Sequence, residues 1–258
     1  MYIKAMKIAF FYLLIFFMPV NMAAQTEADI IDLSQQLLYA ARTGDSTIEI
    51  RSQLSAVKFD ELVNQLKNDE ERKAFWLNIY NAFTQTGLKE NPHWYKNRNK
   101  FYKRKFITIA GEKFSLDQVE HGILRRSKVK LALGHLNKLF PSAREKKLRV
   151  DKLDYRIHFA LNCGAKSCPP VAFYKTEQLD RQLELATTAY LKTEVLFNGK
   201  DNTLELPAIF SWFRGDFNGK KGILKMLRVR KFVPVEGKPA IKWKPYDWSL
   251  ALQNYTSE

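Results

Sequence analysis

The chain has 258 residues, of which 46% are hydrophobic and 13% aromatic, so its composition disfavours a disordered protein and predicts a sizeable folded core. Lysine and arginine total 42 against 27 acidic residues, which gives a formal net charge of +15. The sequence contains no glycine-rich phosphate loop, no H-E-x-x-H and no G-x-S-x-G motif. The absence of these motifs disfavours nucleotide, zincin and common serine-hydrolase chemistry, and the leading hypothesis includes no cofactor or metal.

The N-terminal segment 1–24 is predicted to be a signal peptide. Two lysines precede an uncharged apolar run at 8–18, and the small residues Ala23 and Ala24 follow. This order is typical of a secretory signal, and the run is shorter than the roughly 20 residues of a membrane-spanning helix. We therefore expect an exported protein, periplasmic or secreted, that does not span the membrane once the signal is removed. An uncleaved anchor is the alternative.

Export also limits the partners of the basic surface. Basic runs occur at 96–106, 144–150 and 225–232, and such surfaces attract polyanions. In an exported protein we expect an anionic cell-envelope polymer or lipid headgroups rather than nucleic acid, although most charge runs are only solvated faces. The mature chain, 25–258, has no linker of Gly, Ser and Pro and is predicted to be a single domain.

Helical patterns dominate the first half of the chain. Apolar spacing predicts a helix over 28–42 with a stop at Gly44, and a shorter helix over 58–67. The strongest pattern covers 68–91, where Asn68 is a suitable N-cap and acidic residues occupy the first turn. Its middle is nearly all apolar or aromatic, so we expect this helix to be central and buried.

Shorter elements fill the second half. Residues 105–116 predict two short strands around a glycine turn, and Ser115 with Gln118 forms a capping-box pattern that opens the next helix. In chain order we then expect a helix over 115–126, a buried strand over 155–163, a helix over 176–195, a strand pair over 196–207, helices within 209–232, and a strand and turn over 240–252. The predicted fold class is α+β, with a helix-rich N-terminal half packed on a small antiparallel or mixed sheet.

Two asparagines stand out in the central helix. Asn78 and Asn81 are three residues apart and share one face among aromatic side chains. A buried amide without a partner costs roughly 1–3 kcal/mol, so each must be hydrogen-bonded. Either both tie the helix to neighbouring backbone, or one orients a catalytic group or a substrate in a cleft.

The segment "VEHGILRR" brings ionisable groups together. Arg125 follows His121 by four residues and shares its helix face, whereas the adjacent Glu120 diverges from it. Histidine is suited to proton transfer near neutral pH, so His121 is a candidate base and Glu120 a candidate partner for it. A purely structural histidine is the alternative.

The stretch "RIHFALNCGAKSCPP" at 156–170 holds His158 and both cysteines. Strand alternation would place His158 on one face and Cys163 on the other. Four interpretations stay open: a Cys163–Cys168 disulfide, structural or redox-active; a thiol nucleophile with a histidine base; a metal site of both cysteines with His121 and His158; and a packed turn with inert thiols.

Aromatic residues concentrate near the C-terminus beside charged ones. The candidates are Trp212 and Asp216 in "LPAIFSWFRGDF", and Asp247 and Trp248 in "KPYDWSL". Aromatic planes next to polar groups suit the binding of sugars or peptides. Core packing with hydrogen-bonded polar tips is the alternative.

These segments together resemble the domain of unknown function 547 family. The resemblance rests on five segments in the family's order, at 74–84, 115–125, 156–170, 206–217 and 246–250. Ala251 stands where the family often has an asparagine. The resemblance implies a set of positions to examine: Asn78, Asn81, Glu120, His121, Arg125, His158, Cys163, Cys168, Trp212, Asp216, Asp247 and Trp248. Separately, the helix that carries "FWLNIYNA" and the predicted strand that carries His158 loosely resemble a papain or transglutaminase core, in which a helix precedes a histidine-bearing strand. Here an asparagine stands where the nucleophile would be.

The leading functional hypothesis is a thiol-dependent hydrolase or acyltransferase that acts on peptide or acyl bonds. Cys163 or Cys168 is the expected nucleophile, His121 or His158 the base, and Glu120 or an asparagine the group that orients it. The alternative is a non-catalytic envelope-binding module in which the two cysteines form a structural or redox disulfide.

Overall fold

The computed structural model describes residues 29–256, so the signal peptide and the anchor alternative lie outside the described residues. The α-helices are α1 (Ile30–Thr43), α2 (Ile48–Ala56), α3 (Phe59–Gln65), α4 (Asp69–Glu90), α5 (Arg98–Lys103), α6 (Ala143–Leu148), α7 (Leu179–Glu194), α8 (Ile209–Trp212) and α9 (Gly219–Val229). Shorter helical segments are the 3-10 helices Pro92–Asn97, Tyr155–Phe159 and Thr176–Gln178 and a π-helix, Gln118–Leu124. No helix between residues 29 and 256 has both the length and the apolar composition to cross a membrane.

Two small sheets accompany these helices. β1 (Ile107–Ile109) and β2 (Glu112–Phe114) form an antiparallel pair. β3 (Leu196–Asn198) pairs antiparallel with β4 (Thr203–Leu206), and β4 pairs parallel with β5 (Ala240–Trp243). The predicted α+β class with small antiparallel and mixed sheets is confirmed.

Helix α4 organises the core. Asn68 caps it, as the sequence predicted, and forms a complete capping box with Glu71. The helix ends at Glu90, shortly before Pro92. Side chains on all sides of its middle are buried, from Lys73 to Leu88. A helix that is buried all round must contact several layers, and α4 therefore reaches the elements that carry the candidate site.

The strand predicted over 155–163 is wrong. The Asp154 carboxylate accepts a hydrogen bond from the Arg156 backbone at 3.0 Å and starts a 3-10 helix, Tyr155–Phe159. A capping carboxylate thus overrides the alternating pattern, and His158 and Cys163 need not lie on opposite faces. The papain-like or transglutaminase-like core is not confirmed, because His158 does not lie on a strand.

Candidate functional site

A cavity of about 310 Å³ opens between α4, the π-helix, the cysteine turn and the C-terminal segment. The ionisable side chains that line it are Tyr80, Tyr102, Asp117, Glu120, His121, Lys130, His158, Cys163 and Tyr246. Much of the remaining wall is apolar or aromatic, and includes Leu131, Leu133, Phe213, Trp212 and Trp248. A mostly apolar cavity with a few convergent polar groups is a common form of active or binding site.

Asn81 fixes the backbone that leads into the cysteine turn. Its Nδ2 donates to the Ala160 carbonyl at 3.0 Å, and its Oδ1 accepts from the Asn162 backbone N–H at 2.9 Å. Asn162 in turn accepts from the Gly164 N–H at 2.9 Å and donates to the Pro169 carbonyl at 2.8 Å. Both asparagines are fully buried, so this polar network sets the shape of the loop that carries the cysteines.

Asn78 makes the same kind of link elsewhere. It exchanges two hydrogen bonds with the backbone of Tyr174, at 2.9 and 3.0 Å, and contacts Ser34 at 3.2 Å. Asn78 and Asn81 therefore tie α4 to neighbouring segments, and neither lines the cavity. Of the two alternatives left by the sequence, the geometry favours the structural one.

The C-terminal segment brings Tyr246 to the cysteines. Ala165 and Leu250 form an isolated antiparallel β-bridge, and the Gly164 carbonyl accepts a hydrogen bond from the Ala251 N–H at 2.9 Å. Gly164 adopts φ +88°, and a Cβ there would lie 2.7 Å from the Leu88 side chain. Glycine is required at this position by both backbone conformation and space.

The two cysteines are free thiols in contact with one phenol. The Tyr246 hydroxyl lies 3.5 Å from the Cys163 sulfur and 3.2 Å from the Cys168 sulfur, and the Cys163 backbone N–H donates to the Cys168 sulfur at 3.0 Å. The hydrogen bond from Cys168 and that from Tyr246 outweigh burial and lower the pKa of Cys163. Burial raises the pKa of Cys168. Cys163, which lines the cavity, is therefore the more acidic thiol of the pair, and the disulfide interpretation is not confirmed.

The π-helix presents Glu120 and His121 to the cavity. Its capping box is confirmed by mutual hydrogen bonds of Ser115 and Gln118, at 3.0 and 3.2 Å. The wide turn closes with a bond from the Arg125 N–H to the Glu120 carbonyl at 2.8 Å, which is five residues back, and such turns are frequent at functional sites. Glu120 accepts a hydrogen bond from the Tyr80 hydroxyl at 3.3 Å.

Arg125 determines the tautomer of His121. One guanidinium nitrogen of Arg125 lies 2.9 Å from Nδ1 of His121. Arginine has only donors, so Nδ1 accepts and the ring proton resides on Nε2. Burial and then the Arg125 charge lower the pKa of His121 to about 3, so the ring is neutral. Nε2 of His121 therefore carries the proton, and it lies 3.7 Å from an Asp117 carboxylate oxygen.

Arg125 also forms a fully buried ion pair with Asp216. The Nε–Oδ2 distance is 2.6 Å and both side chains are 0% exposed. The same carboxylate oxygen lies 2.8 Å from Nε2 of His158. Burial alone would raise the pKa of Asp216, but the hydrogen bonds from His158 and Arg125 outweigh it and lower the pKa.

The ionised Asp216 determines the tautomer of His158. Because the carboxylate accepts, Nε2 of His158 carries the proton, and burial lowers the pKa of His158 and keeps its ring neutral. The lone pair is then on Nδ1, for which no hydrogen bond exists among residues 29–256. Phe213 stacks on the ring at 4.0 Å between centroids and lies under Arg125 at 4.5 Å. Of the two histidines, only His158 has a free lone pair and a carboxylate to orient it.

The predicted aromatic residues separate into two groups. Trp212 and Trp248 stack at 5.5 Å and, with Tyr246, form one wall of the cavity, and Arg98 lies 4.8 Å above Trp248. Asp247 does not line the cavity, because its carboxylate is exposed and bonds to the Ser249 backbone at 2.9 Å. Of the predicted C-terminal candidates, Trp212 and Trp248 line the cavity. Asp216 does not line it but is hydrogen-bonded to His158, which does.

The cysteines and histidines do not converge as metal ligands. Among residues 29–256 there is no group of three or more His, Cys, Asp or Glu side chains arranged to hold a metal ion. The metal alternative for Cys163, Cys168, His121 and His158 therefore has no support in the described geometry.

The sequence did not identify several residues of the cavity. Tyr80, Tyr102, Asp117, Lys130 and Tyr246 line it, but none was singled out as a site residue. Tyr80 lies between the two asparagines, which drew attention because amides are unusual in an apolar helix. A phenol in an aromatic-rich segment gives no such signal, so only the three-dimensional arrangement identifies it.

The family comparison covers most of this site. The family described as "Protein of unknown function, DUF547" matches residues 63–191, which is half of the chain. This range contains α4, the π-helix, His158 and both cysteines, and it ends before Asp216 and Tyr246. No curated protein and no solved structure matches the chain.

Proposed function

We propose that this chain, which belongs to the DUF547 family of proteins of unknown function, is a thiol-dependent hydrolase or acyltransferase that acts on acyl or peptide bonds. The observation that carries the proposal is that Cys163 lines the same cavity as His158, whose ring is oriented by Asp216. A cavity that holds a thiol and a neutral histidine oriented by a carboxylate contains the groups used by many covalent acyl-transfer enzymes.

In the first half-reaction, the Cys163 sulfur attacks the carbonyl carbon of the substrate. A C–S bond forms, the bond to the leaving group breaks, and the thiol proton passes through Nδ1 of His158 to the leaving group. In the second half-reaction, His158 takes a proton from water while a C–O bond forms and the C–S bond breaks. The proton then returns to the sulfur. A different nucleophile in place of water gives acyl transfer.

The other polar groups have distinct roles in this scheme. His121 is excluded as a base at Nδ1, because that atom accepts from Arg125. Its Nε2–H and the Tyr246 hydroxyl are donors that can stabilise the developing oxyanion. Cys168 acts on the nucleophile, since its hydrogen bond favours the Cys163 thiolate. Glu120, which accepts a hydrogen bond from the Tyr80 hydroxyl, contributes a carboxylate to the cavity wall.

The test uses activated acyl donors, because the natural substrate is unknown. The full chain is incubated with p-nitrophenyl esters of increasing chain length and with a peptidyl thioester, and both product release and intact mass are followed. We expect an acyl adduct that peptide mapping places on Cys163, with turnover abolished in Cys163→Ser. His158→Gln should still form the adduct, because the lowered pKa of Cys163 supplies thiolate and these leaving groups depart without a proton. It should accumulate the adduct, because deacylation lacks its base.

Cys168→Ser is the matched control, since it removes the other thiol and leaves the nucleophile. It should still form the adduct on Cys163. Turnover that persists in Cys163→Ser, or the absence of any adduct on Cys163 with every donor, would overturn the proposal.

A second candidate is the non-catalytic binding module in which Cys163 and Cys168 form a disulfide. The observation that favours it is the 3.0 Å contact between the Cys163 N–H and the Cys168 sulfur, in a pair whose other cysteine is buried. Alkylation of the purified chain with and without reductant separates the two. Thiols that react only after reduction favour the disulfide, whereas immediate labelling of Cys163 favours the enzyme.

We also propose that the protein acts outside the cytoplasm, because the pattern at 1–24 is typical of a secretory signal. The mass of the chain recovered from the periplasm or medium of an expressing bacterium tests this. Removal of about the first 24 residues is expected, and a full-length chain confined to the cytoplasm would contradict it.

A further inference from the structure

Residues 127–140 form a hairpin at the rim of the cavity. Its two arms are joined by hydrogen bonds from Val129 to Leu136 at 2.9 Å and from Lys138 to Ser127 at 2.7 Å. The Leu133 carbonyl at its turn accepts from the Gly215 N–H at 2.7 Å. The hairpin is therefore fixed to the segment that carries Asp216, next to the cavity.

This hairpin exposes large apolar side chains. The exposed fraction is 88% for Leu131, 87% for Leu139 and 93% for Phe140, and Leu133 and Leu136 are exposed as well. Soluble domains rarely expose neighbouring apolar side chains of this size without a partner. Leu131 and Leu133 also line the cavity, so the exposed apolar surface continues into the candidate site.

The hairpin and the chain that flanks it are strongly basic in sequence. The segment 126–147 contains seven lysines and arginines and one acidic residue, Glu145. Apolar side chains flanked by basic ones are the combination by which interfacial segments bind anionic bilayers: the apolar groups enter the acyl boundary and the cations stay at the headgroups. Charge complementarity thus favours an anionic lipid surface as the occupant.

We propose that the 127–140 hairpin docks the protein on an anionic lipid bilayer, with Leu131, Leu139 and Phe140 inserted at the interface. Docking in this orientation places the mouth of the cavity against the membrane. The inference goes beyond the acyl chemistry proposed above and does not depend on it, because binding is measured without substrate.

The experiment compares vesicles of phosphatidylcholine alone with vesicles that also contain phosphatidylglycerol. Cosedimentation gives the affinity of the full chain, and amide hydrogen exchange locates the segments that the vesicles protect. The apolar run at 8–18 could bind vesicles by itself, and it is present in every protein compared. Hydrogen exchange within 127–140 therefore measures the contribution of the hairpin separately. We expect protection of this hairpin with anionic vesicles, weakened by added salt.

The double variant Leu139→Glu with Phe140→Glu should weaken the hairpin-dependent binding on the order of 100-fold. The two apolar side chains that would transfer from water into the bilayer are replaced by charged ones that stay in water. Its matched control is Val229→Glu with Val235→Glu, which alters two valines that are 72% and 79% exposed outside the hairpin. Unchanged exchange at 127–140 in vesicle-bound protein, or equal affinities of the two double variants, would overturn the proposal. Protection that grows with protein concentration without vesicles would identify a second copy as the occupant and would also overturn it.

Discussion

Acid should destabilise this protein well above the range in which carboxylates titrate, because two of its histidines are buried as neutral bases. Burial lowers the pKa of both His121 and His158 in the folded state, whereas an unfolded histidine titrates near 6.5. Below that value the unfolded chain binds more protons than the folded chain. The stabilisation is therefore complete above about pH 6.5 and is lost progressively as the pH falls.

The size of the effect follows from His121. With a folded pKa of about 3, its linkage lowers the free energy of unfolding by about 2 kcal/mol between about pH 7.5 and pH 5. His158 adds to the loss in the same direction. Asp154 and Asp216, whose pKa values are lowered by Arg156 and by His158 with Arg125, lose their stabilising effect only at lower pH. The window above pH 5 therefore excludes these two carboxylates. Cys163, whose pKa is lowered to about 7, also loses its stabilising effect within this window, but that loss is common to the wild type and a histidine variant.

Urea unfolding followed by tryptophan fluorescence at the two pH values measures this loss. His121→Gln keeps an acceptor for Arg125 but removes the titrating ring, so its loss should be about 2 kcal/mol smaller than that of the wild type. His135→Gln is the control, because His135 is exposed. An equally steep loss in His121→Gln and the wild type would mean that folded His121 accepts a proton, and the tautomer deduced from Arg125 would be wrong.

Three further outcomes follow from the same contacts. Asp216→Asn should lower the free energy of unfolding by about 3–5 kcal/mol, since it leaves the Arg125 charge buried and unpaired. Alkylation of Cys163 in the reduced protein should show a midpoint below the ordinary thiol value of about 8.5, and Cys168→Ala should raise it, because the main hydrogen bond to the thiolate is lost. Gly164→Ala should cost at least about 1–2 kcal/mol by its left-handed conformation alone.

Each of these outcomes has a control. Asp247→Asn changes an exposed carboxylate outside the cavity and should leave stability nearly unchanged in the urea assay. An alkylation midpoint that does not move in Cys168→Ala would show that Tyr246 or the backbone, and not Cys168, governs the thiol. Gly111→Ala has similar backbone strain but open space around it, so any larger loss in Gly164→Ala measures the contact with Leu88.

The local part of this structure could be predicted from sequence because its signals are local. The Asn68 cap, the glycine turn between β1 and β2 and the capping box at Ser115 each involve residues within a few positions of one another. The family resemblance, built on ordered motifs, was confirmed by the match over 63–191. Helix α2 was missed because Leu54 is its only buried residue, so it has almost no apolar stripe.

The candidate site could be predicted only in part, because it depends on contacts between distant segments. The sequence placed Cys163 and Cys168 together correctly, as neighbours in one turn. It could not place Tyr246 beside them, since that contact spans 83 positions from Cys163 and requires the C-terminal segment to run along the turn. The strand expected for His158 failed for a similar reason: one capping carboxylate, at Asp154, outweighed an apolar alternation that fits either structure.

Arg125 shows why the roles of the two histidines could not be separated before the fold was known. In the sequence His121 and His158 are equivalent candidates, because composition gives no protonation state. In the structure one guanidinium donates to Nδ1 of His121 and to Asp216, which accepts in turn from Nε2 of His158. A single buried cation thus makes one histidine a donor at Nε2 and leaves the other a free acceptor at Nδ1. The division of labour in the proposed acyl chemistry follows from the connectivity of this network rather than from either histidine.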